Sequence, residues 1–226
     1  PGMRFSHAPE LIDQYPQLSV VTLLLRAVED SADVTDSASP FLQRASARLT
    51  DGPESEFPEI AAWRRAFSQM GLKPTQYRCA SEALLRRYRK DGSLPSVHPL
   101  VDLCNAVSLA YAIPIAVFDL AHVTGDLTVR KATGAETSLT FGGETEHPDA
   151  GEVIFADDAG NAHARRWTNR QSALSAIRPQ TRSALIVSEA MHDDGPQDLS
   201  NLLADLARLT TLWAVLTARP DPVSAT

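Results

Sequence analysis

The chain has 226 residues, 43% apolar and 22% charged, the make-up of a soluble globular protein with one sizeable core, which excludes a disordered chain. Its 28 acidic against 21 basic residues give a net charge of −7, which excludes a binder relying on a broad basic surface; a DNA partner is not expected. No apolar run approaches the roughly 20 residues of a membrane span, so the expectation is a single cytoplasmic domain over 1–226 with no membrane partner. Pro1-Gly2 ahead of Met3 looks like a cleavage scar and is set aside.

In chain order, "LSVVTLLLRAV" (18–28) reads as a buried strand and "EDSADVTDSASP" as a polar loop. "SPFLQRASARLT" places serine and proline at a helix start, at Ser39 and Pro40. "FPEIAAWRRAFSQMG" repeats that pattern, with Ile60, Trp63, Phe67 and Met70 on one face and Gly71 as the stop. "RCASEALLRRYRK" predicts a third helix ending at Asp91-Gly92. A fourth runs from Pro99 to Tyr111 and is ended by Pro114.

Beyond Pro114 the period changes. "PIAVFDL", "GDLTVRKA", "ETSLTF", "GEVIFADD", "NAHARRW" and "RSALIVSEA" predict short strands of a mostly antiparallel sheet. A leucine stripe through Leu199, Leu202, Leu203, Leu206, Leu209, Trp213 and Leu216 predicts a C-terminal helix over 196–218, packed on the core. Helices, then strands, then a helix favour an α+β fold over a doubly wound sheet. Cys79 and Cys104 have no metal or redox spacing, and the six histidines include no HxH or HxxxH pair. No metal or cofactor is expected.

The helix 99–111 is apolar on most of its surface, yet His98, Asp102, Asn105 and Ser108 share one arc of about 120°. A buried carboxylate without partners is costly, so the stripe faces a polar protein network or a pocket. Both readings stand: capping and bridging hydrogen bonds, or a wall of donors and acceptors in which His98 and Asp102 position water or substrate.

These residues carry a resemblance. "HPLVDLCNAVSLAYAIPIAVFDL" resembles "NxVVDxTNYVxxExGxPxHxFD" of the B3/B4 editing domain in the phenylalanyl-tRNA synthetase beta subunit, with Val101-Asp102, Asn105, Pro114 and Phe118-Asp119 in register. "GDLTVRKATGAE" is similar to that domain's "GGIxVRxAxxGE" through Gly125, Val129, Arg130, Ala132 and Glu136. Free-standing relatives look closer still, matching at Ser81–Arg87, Leu94–Leu109, Gly151-Glu152-Val153, Asp157, Gly160 and Arg165–Ser172. The likeness covers roughly residues 75 to 190. It implies a mixed sheet of the B3/B4 type and an aminoacyl-tRNA acceptor end as partner. The activity implied is hydrolysis of a mischarged ester in trans, as the synthetase domain removes tyrosine from phenylalanine tRNA. Two departures concern specificity. Ala116 stands at the family's histidine, and no residue is matched to the tyrosine-sensing glutamate.

The resemblance implies substrate contacts from Asn105, Ser108, Asp119, Glu152, Arg166, Arg170 and Gln171. For Glu152, pairing with Arg130 is the equal alternative. Arg165, Arg166 and Arg170 flank Trp167, which suits phosphate contact and base stacking, with a charge cluster at a sheet edge as the alternative. Arg86, Arg87, Arg89 and Lys90 form a basic helix face, either solvated or set against a tRNA backbone. The chain has no ATP-binding motif of a synthetase and is not expected to charge tRNA. Ester hydrolysis needs an oriented water and a stabilised oxyanion rather than a side-chain nucleophile. The competing readings are a module that binds without turnover and an enzyme that hands the ester to an acceptor amine. Amino acid, tRNA and oligomeric state stay open.

Overall fold

The computed structural model describes residues 2–213 and the backbone of 215–219. The N-terminal segment, to which the sequence reading assigned nothing, forms strand β1 (Phe5–His7) and a short helix α1 (Pro9–Gln14). Strand β2 (Ser19–Leu25) follows, then helices α2 (Thr35–Asp51), α3 (Pro58–Gln69), α4 (Ala80–Asp91) and α5 (Pro99–Tyr111). Strands β3 (Ile115–Asp119), β4 (Leu127–Lys131), β5 (Ser138–Leu139), β6 (Thr145–Glu146), β7 (Val153–Asp157), β8 (Ala162–Arg165), β9 (Arg170–Gln171) and β10 (Ala184–Ala190) come next. Helix α6 (Gly195–Leu209) and strand β11 (Val215–Arg219) close the described chain.

Two sheets carry the α+β fold. One is ordered β1-β4-β7-β8-β9, antiparallel except for the parallel β1–β4 pair; the other is ordered β11-β2-β10-β3 and is antiparallel throughout. The second sheet is covered on both faces, which is why β2 and β10 are rich in apolar residues at successive positions. Along β10, Leu185 and Val187 join a core with Val129, Val153 and Phe155 of the first sheet. Alternate residues Ala184 and Ile186 pack with Leu103, Val107, Leu202 and Leu206 of α5 and α6. The order of layers is therefore sheet, sheet, helices, with α3 set into the first core through Ile60, Trp63 and Phe67.

Two boundaries differ from expectation. Helix α2 begins a turn before Ser39-Pro40, and Pro40 lies inside it. The Asp33 carboxylate accepts from Thr35 N at 3.0 Å and Thr35 Oγ1 at 2.7 Å, which supplies a start signal earlier than the Ser-Pro pair. The C-terminal helix stops at Leu209 instead of continuing to 218. Thr210 Oγ1 donates back to Leu206 O at 2.6 Å, and 215–219 adds antiparallel to the outer edge of β2. That pairing gives the β2 edge its missing backbone partners. Cys79 and Cys104 are buried free thiols, pushed up by burial to about 11 and about 12.

Candidate functional site

The polar stripe of α5 is absorbed locally. Pro99 opens the helix and His98 caps it, its Nδ1 accepting from Leu100 N at 3.0 Å. Asp102 gathers the incoming loop: Oδ2 accepts from Ser96 Oγ at 2.6 Å and Oδ1 from Val97 N at 2.9 Å. Ser108 Oγ donates to Ile113 O at 2.7 Å, which holds the left-handed turn at Ala112. Asn105 is half-buried, with no side-chain hydrogen bond among the described residues. His98 Nε2 is buried without a partner, and burial lowers the ring's basicity against the pull of Asp30. None of the four lines the cavity described next.

That cavity, of about 130 Å³, lies where the two sheets meet. Its apolar wall is Ala80, Pro114, Ile115, Ala116, Phe155, Ala164, Trp167 and Val187; its polar members are Thr168, Asn169, Arg170, Gln171 and Glu189. Ala116, at the position of the family histidine, is thus part of the wall. Gln171 ties the sheets together at the rim. Its Nε2 donates to Val117 O at 2.9 Å and its Oε1 accepts from Val117 N at 3.3 Å, as a strand partner would on the open edge of β3.

Glu189 is the acid of this site and is 2% exposed. Trp167 Nε1 donates to its Oε2 at 2.9 Å, and His7 Nε2 lies 2.6 Å from the same oxygen. Oε1 has no hydrogen-bond partner among the described residues, and Glu189 is one of the residues that line the cavity. A carboxylate held this way through one oxygen offers the other as an acceptor in an apolar space. Sequence reasoning missed it. The available signal was an acid inside "ALIVSEA", a strand otherwise buried on both faces.

The opposite wall is a strained turn. Arg166 and Trp167 are consecutive non-glycine residues with φ of 47° and 58°, a conformation that costs of order 1–3 kcal/mol per residue. It is held by Trp167 N donating to Val153 O (2.7 Å), Arg166 N to Glu152 Oε2 (3.1 Å) and Ala80 N to Thr168 O (2.7 Å). The turn drives Trp167 into the core against Tyr15 and Trp63, with ring centroids 5.1 and 5.3 Å away. Trp167 is therefore a core residue, 1% exposed, that also lines the cavity. Arg165 is buried too, donating to Glu152 at 2.8 and 3.0 Å and to Glu146 at 3.1 Å. Glu152 pairs with Arg165 and not with Arg130, whose partner is Glu136.

The remaining predicted residues separate. Arg170 and Gln171 border the cavity, and Arg166 lies over the Tyr77 ring at 4.6 Å. Asp119 is buried away from it, accepting from Thr181 Oγ1 at 2.8 Å and Ala121 N at 3.0 Å. On α4, Arg89 reaches buried Glu54 at 2.7 Å, Arg87 lies 3.8 Å from Asp91, and Arg86 and Lys90 are exposed.

Two further polar groups are structural. Asp157, His163 and Ser175 form a linked trio, His163 Nε2 lying 2.8 Å from Asp157 Oδ2 and its Nδ1 2.7 Å from Ser175 Oγ. All three are buried and none lines the cavity. Glu59, His192 and Asp198 bring three ligand atoms within 4.8 Å. Arg48 grips Glu59 at 2.6 and 2.7 Å, however, and His192 Nε2 lies 2.7 Å from Asp198, so the acids are already engaged in two separate pairs.

The trio sets an acid limit on stability. Burial pushes the Asp157 carboxyl up, but hydrogen bonds from His163, Asn161 and Thr124 N outweigh it and hold it at about 2. Burial lowers His163 below its ordinary 6.5 despite Asp157. The unfolded chain therefore binds more protons than the folded one, first below pH 6.5 at His163 and His98, then below about 4 at Asp157. Thermal melts should show stability nearly constant between about pH 7 and 8 and falling beneath pH 6.5, by up to about 1.4 kcal/mol per pH unit for each histidine kept neutral. A flat profile from pH 7 to 5 would contradict this.

Fold and site together define an α+β domain with a small, acid-floored cavity between two sheets. Residues 62–195, more than half of the chain, match the family model described as "B3/4 domain", and the chain belongs to that family. It is 39% identical over 125 residues to the phenylalanine--tRNA ligase beta subunit of Brucella abortus, a stretch covering 55% of this chain and 13% of that protein. It is 38% identical over 79 residues to the same subunit of Rhodopseudomonas palustris, covering 35% and 10%. With that of Shewanella oneidensis the identity is 29% over 101 residues, covering 45% and 13%. The chain thus matches only about a tenth of the length of these relatives. A crystal structure of an N-terminal fragment of the phenylalanyl-tRNA synthetase beta subunit from Pyrococcus horikoshii superposes with a TM-score of 0.50 at 10% identity, covering 95% of this chain and 50% of that one. Among the described residues no helix is long and apolar enough to cross a membrane.

Proposed function

We propose that this domain receives the aminoacyl end of a charged tRNA, seats the amino acid in the cavity between the sheets, and hydrolyses the ester in trans. The carrying observation is Glu189, with an Oε1 that has no hydrogen-bond partner among the described residues, in the lining of a largely apolar cavity of about 130 Å³. An apolar protein cavity of roughly 150 Å³ holds benzene, so the space suits one amino acid side chain or the start of a longer one. The acceptor on its floor favours an occupant that carries a donor, either an ammonium or a hydroxyl group. Trp167 and His7 keep the carboxylate aimed, and Arg170 at the rim supplies a cation for the terminal phosphate. The ester is already activated and the adjoining ribose hydroxyl can assist water, so the protein's work is orientation and exclusion of bulk solvent.

Calorimetric titration with 3′-amino-3′-deoxyadenosine carrying amide-linked amino acids tests the binding. Saturable one-to-one binding that depends on the amino acid is expected. No binding across all twenty amides would overturn the proposal. Ala116 in the cavity wall favours a second reading, binding without turnover, in which the same titration succeeds and the ester's lifetime is unchanged.

A further inference from the structure

The sequence motif "FGGE" is too short for a phosphate loop and plays no part in the cavity. In the fold it is the tip of the β5–β6 hairpin. Thr140 N donates to Glu144 O at 2.8 Å, Gly143 N to Thr140 O at 3.0 Å and Glu144 N to Thr140 Oγ1 at 3.0 Å. Gly143, at φ 91°, turns the chain where a side chain would strain it. On this ordered tip Phe141 is 75% exposed, the most exposed large apolar side chain among the described residues.

The hairpin is fastened to the strand that rims the cavity. Ala173 N donates to Leu139 O at 2.8 Å, and Ser172 Oγ accepts from Leu139 N at 3.0 Å. Glu146 pairs with Arg170, which lines the cavity and is itself 47% exposed on its side chain. Phe141 stands in the turn beyond the Leu139–Thr145 pair, three residues past Ser138, the strand partner of Glu146. An exposed ring on the hairpin whose Glu146 holds the rim arginine is a combination that can grip single-stranded nucleic acid: a face for the base and a cation for the phosphate.

We infer that Phe141 is a stacking platform for an unpaired base of the acceptor 3′ end, one or two nucleotides before the nucleotide that carries the ester. The inference rests on the proposed function, because it needs the aminoacyl group in the cavity. It assigns the RNA contact to this hairpin and rim instead of to Trp167, which is buried.

The test measures binding of an acceptor-stem minihelix with its single-stranded 3′ end, beside the amide-linked aminoacyl-adenosine, to full-length wild type, Phe141→Ala and Phe141→Trp. Phe141→Ala should weaken minihelix binding about 5-fold or more, the low end of one lost base stack. Phe141→Trp should restore it, and aminoacyl-adenosine binding should be the same for all three. Equal minihelix binding by wild type and Phe141→Ala overturns the platform while leaving the cavity reading in place. Unchanged minihelix binding with lost self-association in sedimentation overturns it in favour of a protein contact. Failure of wild type to bind either ligand overturns both.

Discussion

Trp167→Ala should lower folding stability by about 3–5 kcal/mol, the range for truncating a large buried aromatic. The ring is 1% exposed and packs edge-on against Tyr15 and Trp63, so alanine leaves a cavity bounded by rigid aromatics that cannot collapse into it. The indole N–H also leaves Glu189, removing one of the two groups that hold its carboxylate. The backbone offers no relief, because alanine at φ 58° is strained much as tryptophan is. Trp167→Phe should recover most of the packing and show mainly the lost hydrogen bond to a charged group, worth about 1.5–3 kcal/mol. Chemical denaturation of the three proteins gives the differences directly. A Trp167→Ala midpoint within about 1 kcal/mol of wild type would place this side chain outside the core.

Most of the architecture was legible because its signals are local. Ile60, Trp63 and Phe67 announce α3, Asp91-Gly92 ends α4 where a left-handed residue is needed, and the run "LSVVTLLL" predicts the buried strand β2. The leucine stripe of α6 was read too far, since helical spacing alone cannot tell a last turn from a strand competing for the β2 edge. The resemblance singled out 165–172 as one block but carried nothing on the direction of its side chains. Two successive positive φ angles reverse the expectation, sending Trp167 inward and leaving Arg170 and Gln171 at the rim. In α5, Asp102 looked like a pocket acid because its partners, Ser96 and Val97, lie in a loop whose shape depends on the capped helix start. Glu189 was invisible for the opposite reason. Its partners His7 and Trp167 are 182 and 22 residues away, contacts that only the assembled sheets create.

The second large effect falls on that residue. Glutamine at 189 can keep its amide oxygen toward Trp167 and His7 while turning its NH₂ to the cavity. Glu189→Gln should therefore fold with a stability change of no more than about 1 kcal/mol, yet present a donor where the occupant needs an acceptor. Losing a hydrogen bond to a charged group costs about 1.5–3 kcal/mol, so turnover should fall roughly 10- to 100-fold.

Single-turnover deacylation of a full panel of charged tRNAs, by wild type and Glu189→Gln side by side, tests the seating of the aminoacyl group in this cavity most directly. The expected result is that wild type shortens the lifetime of at least one aminoacyl ester, and that Glu189→Gln loses 10-fold or more of that rate while melting at nearly the same temperature. Equal rates for the two proteins, or no shortened lifetime anywhere in the panel, would contradict it.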